Sequence, residues 1–125
     1  MSITIPSVNQ GLLDAIRTSW ARDTSYEPDL WSLENPASGQ CAVTALVIQD
    51  YLGGELLRAS DGNVTHFWNL VNGAEIDLTA EQFSAYPSWV APPELVDRDY
   101  VLAWPDTYRR YGTLRSRVAT SLRLG

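Results

Sequence analysis

The 125-residue sequence contains no lysine and only one cysteine, one histidine and one methionine. A single cysteine excludes an internal disulfide and suits a reducing cytosol, the expected location. One cysteine and one histidine are too few for the usual zinc ligand sets, so neither a metal nor a cofactor is expected. Positive charge is scarce as well. Nine arginines against fifteen acidic residues leave a net charge of −6, which argues against nucleic acid as a partner. Long apolar runs are missing: the most apolar stretch, Cys41 to Leu52, falls well short of the roughly 20 residues that cross a bilayer. Met1 to Pro6 has neither the basic segment nor the apolar core of a signal peptide. No membrane association is expected. Repeats, low-complexity segments and linkers are also absent, so residues 1–125 read as one domain, large enough to bury a core.

What is present points to a folded chain, with 45% hydrophobic residues and five tryptophans. The positive charge is gathered at one end: Arg109, Arg110, Arg115, Arg117 and Arg123 follow Asp106 with no acid among them. Such a block is most often a solvated helix face, or one packed on acidic surface of its own domain. An anionic partner is the other reading.

Hydrophobic periodicity predicts a first helix over Val8–Arg22, with Leu12, Leu13, Ile16 and Trp20 on one face. Asp23–Pro36 is a loop with two prolines and the aromatics Tyr26 and Trp31, expected to wall a cleft. Cys41–Leu52 is apolar almost all round, which predicts a helix buried on most sides and stopped by Gly53-Gly54. Glu55–Ser60 and Val64–Val71 read as strands, and Asn72-Gly73 is a strong hairpin signal. Thr79-Ala80-Glu81-Gln82 matches a capping box and predicts a short helix carrying Phe83 and Tyr86 inward. Glu94–Trp104 suits either a short helix or an extended segment. Asp106 is expected to cap a last helix with Tyr108, Tyr111, Leu114, Val118 and Leu122 inward.

A two-residue turn at Asn72-Gly73 sets a register, with Val71 opposite Ala74, Trp68 opposite Asp77 and His66 opposite Thr79. Phe67, Asn69, Val71, Ala74, Ile76 and Leu78 then share one face, which is core. His66, Trp68 and Leu70 share the other with Glu75, Asp77 and Thr79. On that face His66 and Asp77 are diagonal neighbours.

Three residues now stand in chemical order. Cys41 opens the buried helix, where unpaired N–H groups and the helix dipole favour a thiolate. His66 would take the thiol proton, and Asp77 would fix the tautomer and stabilise the imidazolium. Gln40 and the Cys41 N–H would supply an oxyanion hole. Trp31, Trp68 and Glu75 are expected to border the substrate cleft. Each residue also has a plainer reading: Cys41 as a small core hydrophobe, His66 as a structural histidine, Asp77 as an aid to a helix start, and Trp68 as core or lid.

Cys41 on a helix, followed by His66-Phe67-Trp68 and by Ile76-Asp77-Leu78-Thr79, resembles the papain-like and transglutaminase-like superfamily. Pro36–Ala45, Asp50–Gly54, His66–Asn69 and Ile76–Phe83 together resemble the small bacterial YunG-like family, over a span from Leu12 to Tyr86. The first resemblance implies a cysteine nucleophile with a histidine and an acid on adjacent strands. The expected fold is α+β: a central helix bearing Cys41 on a small antiparallel sheet, flanked by N- and C-terminal helices. The expected function is a cysteine hydrolase or acyltransferase of peptidase, amidase or deamidase type, acting on a peptide, a protein or a small amide. The alternative is a non-catalytic binding protein on the same fold, using an aromatic cleft or the basic C-terminal helix.

Overall fold

The computed structural model describes residues 7–124. The apolar stretch at the middle of the sequence becomes the middle of the fold. Helix α2 (Cys41–Leu52) is buried from Ala42 through Ile48. A sheet covers one side of it and helix α4 (Thr107–Leu124) packs against it too, with α1 (Ser7–Ser19) laid on α4. Gly53 ends α2 at φ 72° and ψ −150°, a conformation that only glycine adopts readily.

The first helix ends sooner than its periodicity suggests, at Ser19, and a 3₁₀ turn follows at Arg22–Thr24. Its Leu12, Leu13 and Ile16 are buried, and so is Trp20 just beyond it. Two buried polar side chains against the body of α2 are satisfied. Trp20 Nε1 donates to Thr44 Oγ1 at 2.9 Å, and Asn69 Nδ2 donates to the Ala45 carbonyl at 2.9 Å. Asn69 therefore sits on the core face without leaving an orphaned amide donor.

The sheet is antiparallel throughout, with order β3 (Ala74–Ile76), β2 (Thr65–Val71), β1 (Glu55–Ser60), β4 (Glu94–Val96). Asn72 and Gly73 take φ of 52° and 77°, as a primed two-residue turn requires. Val71 lies opposite Ala74, Leu70 opposite Glu75 and Asn69 opposite Ile76, the expected register. The ladder stops there. The expected pairings of Trp68 with Asp77 and His66 with Thr79 do not form, because the chain turns at Asp77 into a 3₁₀ helix, Leu78–Gln82. The capping-box reading of Thr79 is corrected with it: Asp77 holds the cap position and makes no side-chain cap bond.

Glu94–Trp104 contains both structures it suited. Strand β4 pairs with β1, and α3 (Arg98–Leu102) follows. Arg98 ties α3 to the end of α2, with bonds of 2.8 Å to Asp50 and 2.9 Å to Gln49. On α4, Tyr111, Leu114 and Val118 face inward as expected, but Tyr108 is exposed and Leu122 lies at the rim. Arg110 takes an inward place instead. The architecture is α+β, a small four-stranded antiparallel sheet with flanking helices. Among the described residues no helix is long and apolar enough to cross a membrane.

Candidate active site

Cys41 is the first residue of α2, directly after the cap residue Gln40. The turn that delivers it depends on Gly39, whose φ is 73°. The Gly39 carbonyl accepts from Tyr26 N at 2.8 Å. A Cβ on Gly39 would meet Ser25 Oγ at 2.2 Å and Tyr26 N at 2.8 Å. Glycine thus lets the long loop press directly on the helix start. Gln40 makes no side-chain cap bond, and the first N–H groups of any helix lack intrahelical acceptors.

His66 on β2 is fully buried. Its Nε2 lies 2.8 Å and 3.0 Å from the two carboxylate oxygens of Asp77, and Tyr86 OH donates to the same carboxylate at 2.7 Å. The carboxylate that could have capped the 3₁₀ helix is held by these two partners. His66 Nδ1 is buried and makes no hydrogen bond. Burial alone would push His66 below its ordinary value of 6.5. The Asp77 hydrogen bond and the neighbouring Cys41 sulfur outweigh burial and lift it to about 9. The ring is therefore an imidazolium at neutral pH, with one N–H committed to Asp77.

Aromatic rings enclose it. Trp68 and Trp89 lie nearly parallel to the imidazole, with centroids at 5.3 Å and 5.8 Å, and Phe83 meets it edge-on at 5.1 Å. Trp89 belongs to a stretch without regular structure, pinned over the sheet where Val90 N donates to Ser60 O at 2.9 Å. Burial and the Asp77 bond together push the Tyr86 phenol well above its ordinary value.

A cleft of about 320 Å³ opens at Cys41. Gly39, Cys41 and Ala42 form its floor, with Tyr26, Phe83 and Trp104 among its walls, and the β1–β2 turn contributes Asn63 and Val64. That turn is fixed by Asp61 Oδ1, which accepts from both Asn63 N and Val64 N at 2.9 Å and 2.7 Å. Arg110 and Gln82 also line the cleft.

Of the residues singled out from the sequence, Cys41, His66 and Asp77 come together. Of the seven residues only Cys41 lines the cleft; His66 is fully buried, and Asp77 borders a separate hollow. Gln40 is fully buried and its Nε2 donates to the Ala21 carbonyl at 3.0 Å, drawn toward the end of the first helical segment. Trp31 is held inside its own loop by a 2.9 Å bond to the Pro36 carbonyl, with Arg22 over its ring. Trp68 shares the sheet face of His66, where its ring stacks on the imidazole and on Trp89 rather than lining the cleft. Glu75 accepts from Trp68 Nε1 at 2.6 Å and borders a separate hollow with Arg17 and Glu81.

Four participants escaped the sequence. Tyr86, expected inward on a short helix, lies beyond the 3₁₀ turn and is half exposed, and Trp89 comes from an irregular segment whose docking leaves no periodic trace. Gln82 was absorbed into the capping-box pattern. Arg110 did carry a signal, standing four residues before Leu114 and eight before Val118, on the buried face of α4. Only 2% of Arg110 is exposed; it donates to the Thr24 carbonyl and to Thr107 Oγ1, both at 3.1 Å. Its guanidinium lies 5.4 Å from the centre of the Tyr26 ring, and burial lowers its pKa. Arg117 is paired with Asp23, and Arg109 with Asp106. Arg115 lies over the Tyr111 ring and Arg123 donates to Thr120 Oγ1, so all five C-terminal arginines make contacts within the chain, which weakens the reading of α4 as a free basic surface. Among the described residues no group of three or more His, Cys, Asp or Glu side chains is placed to hold a metal ion.

Comparison with known proteins agrees with the motif blocks. One relative is the Bacillus subtilis (strain 168) protein named "Uncharacterized protein YunG", 44% identical over 70 residues. That match covers 56% of this chain and 58% of the relative, a little over half of each. No solved structure matches the chain. A family model described as "YunG protein" matches residues 8–123, nearly the whole length, and the chain belongs to the YunG family.

Proposed function

We propose that the chain is a cysteine-dependent hydrolase or acyltransferase, acting on an amide or thioester through Cys41, His66 and Asp77 on a papain-like or transglutaminase-like core. One observation carries this reading: His66 is bound through Nε2 to Asp77 and keeps Nδ1 buried and unpartnered, with the Cys41 sulfur near enough to raise its pKa. A structural histidine would have both nitrogens satisfied. Cys41 is close enough to act on that ring, and it lines the cleft.

In this mechanism the Cys41 sulfur attacks the substrate carbonyl carbon, and His66 passes its Nδ1 proton to the leaving nitrogen or sulfur. The resulting thioester is released by water or by an acceptor amine, with neutral His66 taking the proton. Asp77 keeps the imidazole in place and its other N–H occupied. A thiol nucleophile without a second cysteine suits a reducing compartment.

Alkylation by iodoacetamide tests the pairing. Cys41 in the native protein is expected to react at pH 6–7 faster than a free thiol of pKa about 8.5. His66→Ala should reduce that rate at least tenfold, and Cys41→Ser should abolish labelling. If Cys41 reacts only after unfolding, it is a core residue and the enzyme reading is wrong.

A further inference from the structure

Four buried side-chain atoms among the described residues lack a hydrogen-bond partner: Gln40 Oε1, Arg58 Nε, His66 Nδ1 and Gln82 Nε2. Groups of this kind are rare in native proteins and often mark a place where a ligand completes the bonding. His66 Nδ1 has its role above. Gln82 Nε2 is the other orphaned donor in the surroundings of Cys41, and Gln82 lines the same cleft.

Gln82 is held at two points, its side-chain amide by one and its backbone by the other. Gln82 Oε1 accepts from Gly39 N at 3.4 Å, and the Gln82 carbonyl accepts from Asn35 Nδ2 at 3.0 Å. Turning the amide over would set Nε2 against the Gly39 N–H, donor against donor, so the oxygen stays on Gly39. Gly39 lies two residues before Cys41. The amide is thus anchored to the turn that presents the sulfur, and its N–H₂ is left for something in the cleft.

We infer that Gln82 Nε2, with the uncapped backbone N–H of Cys41, forms the oxyanion hole, and that the site takes acyl donors (esters, thioesters or amides) rather than alkyl or disulfide substrates. This rests on the acyl-transfer reading above. As the C–S bond forms, the carbonyl π pair moves onto oxygen, and that oxyanion accepts from Gln82 and Cys41. Its collapse restores the C=O bond and breaks the bond to the leaving group, which departs with the His66 proton or as a stable anion. Gln40 suits the role poorly. Its unpartnered atom is an acceptor, which repels an oxyanion, and its N–H₂ is spent on Ala21.

Two reagents separate this role from a structural one. p-Nitrophenyl acetate acylates the thiol through an oxyanion, whereas iodoacetamide alkylates it by displacement at a CH₂ group without one. Gln82→Ala and Gln82→Met, the second keeping the side chain's length, are expected to slow acylation by about 100-fold. Alkylation should stay within roughly threefold of wild type, because no oxyanion forms in that reaction. The inference is overturned if acylation is unchanged, if both reactions fall together, or if Gln40→Ala carries the selective loss instead. Should wild-type Cys41 alkylate but never acylate, acyl transfer itself fails. Acylation that depends on His66 but ignores Gln82 removes only the present inference.

Discussion

Replacing Asp77 with asparagine removes one charge from the most buried ionic contact of the site. His66 is held at about 9 against an ordinary value of 6.5. At 1.36 kcal/mol per pH unit, that difference is worth about 3 kcal/mol of folding stability when His66 is protonated in both states. Because the folded value is the raised one, the stabilisation is complete below about pH 6.5 and disappears as pH rises through about 9. At pH 7 about 2.5 kcal/mol of it remains. In Asp77→Asn, burial is opposed by the Cys41 sulfur alone, so the His66 value should fall toward or below 6.5. The variant should lose about 2–3 kcal/mol at pH 6–7, a shift of about 1–2 M in urea midpoint for a chain of this size. At pH 10 the two proteins should differ by only about 1 kcal/mol, the hydrogen-bond change. Urea unfolding at pH 6, 7 and 10 reads the stability. Proton NMR reads the titration without assignment, because the chain has a single histidine. The reasoning is refuted if wild-type His66 titrates near 6.5, or if Asp77→Asn costs as much at pH 10 as at pH 6.

Two further substitutions separate neighbouring roles. Glu75→Gln keeps an acceptor for the Trp68 indole, so it should cost less than about 1 kcal/mol and leave the His66 titration in place, measured by the same two methods. Gly39→Ala should destabilise by about 2–4 kcal/mol, through its left-handed backbone and the collision with Ser25 and Tyr26. The same change at Gly11, in the exposed interior of α1 with nothing within 4 Å of the added Cβ, should stabilise by about 0.5–1 kcal/mol. Thermal melts of the two variants check the opposite signs.

The parts of the site legible in the sequence are those that local rules determine. Helix α2 runs over the predicted residues because an unbroken apolar run met two glycines, and the Asn72-Gly73 turn put His66 beside Asp77 through side-chain alternation. Legibility stopped where tertiary contacts decide. Asp77 reads as a helix cap from its neighbours, but the carboxylate gains more from a buried imidazolium and a phenol. Glu94–Val96 becomes a strand only because β1 offers it an edge, and flanking prolines hide any alternation in three residues. Trp31 and Trp68 were placed at the cleft for their aromaticity. One is satisfied within its own loop, and the other stacks on the His66 ring and gives its indole N–H to Glu75. Arg110 was counted with its charged neighbours, although helical spacing already set it with Leu114 and Val118.

The hairpin turn makes the distance along the chain from His66 to Asp77 a question of parity. The two are eleven residues apart and meet across a two-residue turn. Such a hairpin can lengthen only by adding one residue to each strand, so the spacing grows in twos and stays odd. An even spacing puts the carboxylate on the core side of the sheet, against α2, unless a bulge absorbs the extra residue. A single insertion near Gly73 should therefore disarm the pair even where both residues survive, and a second insertion on the opposite strand should restore it. For a chain carrying the same histidine and acid on an unbulged two-residue hairpin, the count between them tells which of the two faces the acid will occupy.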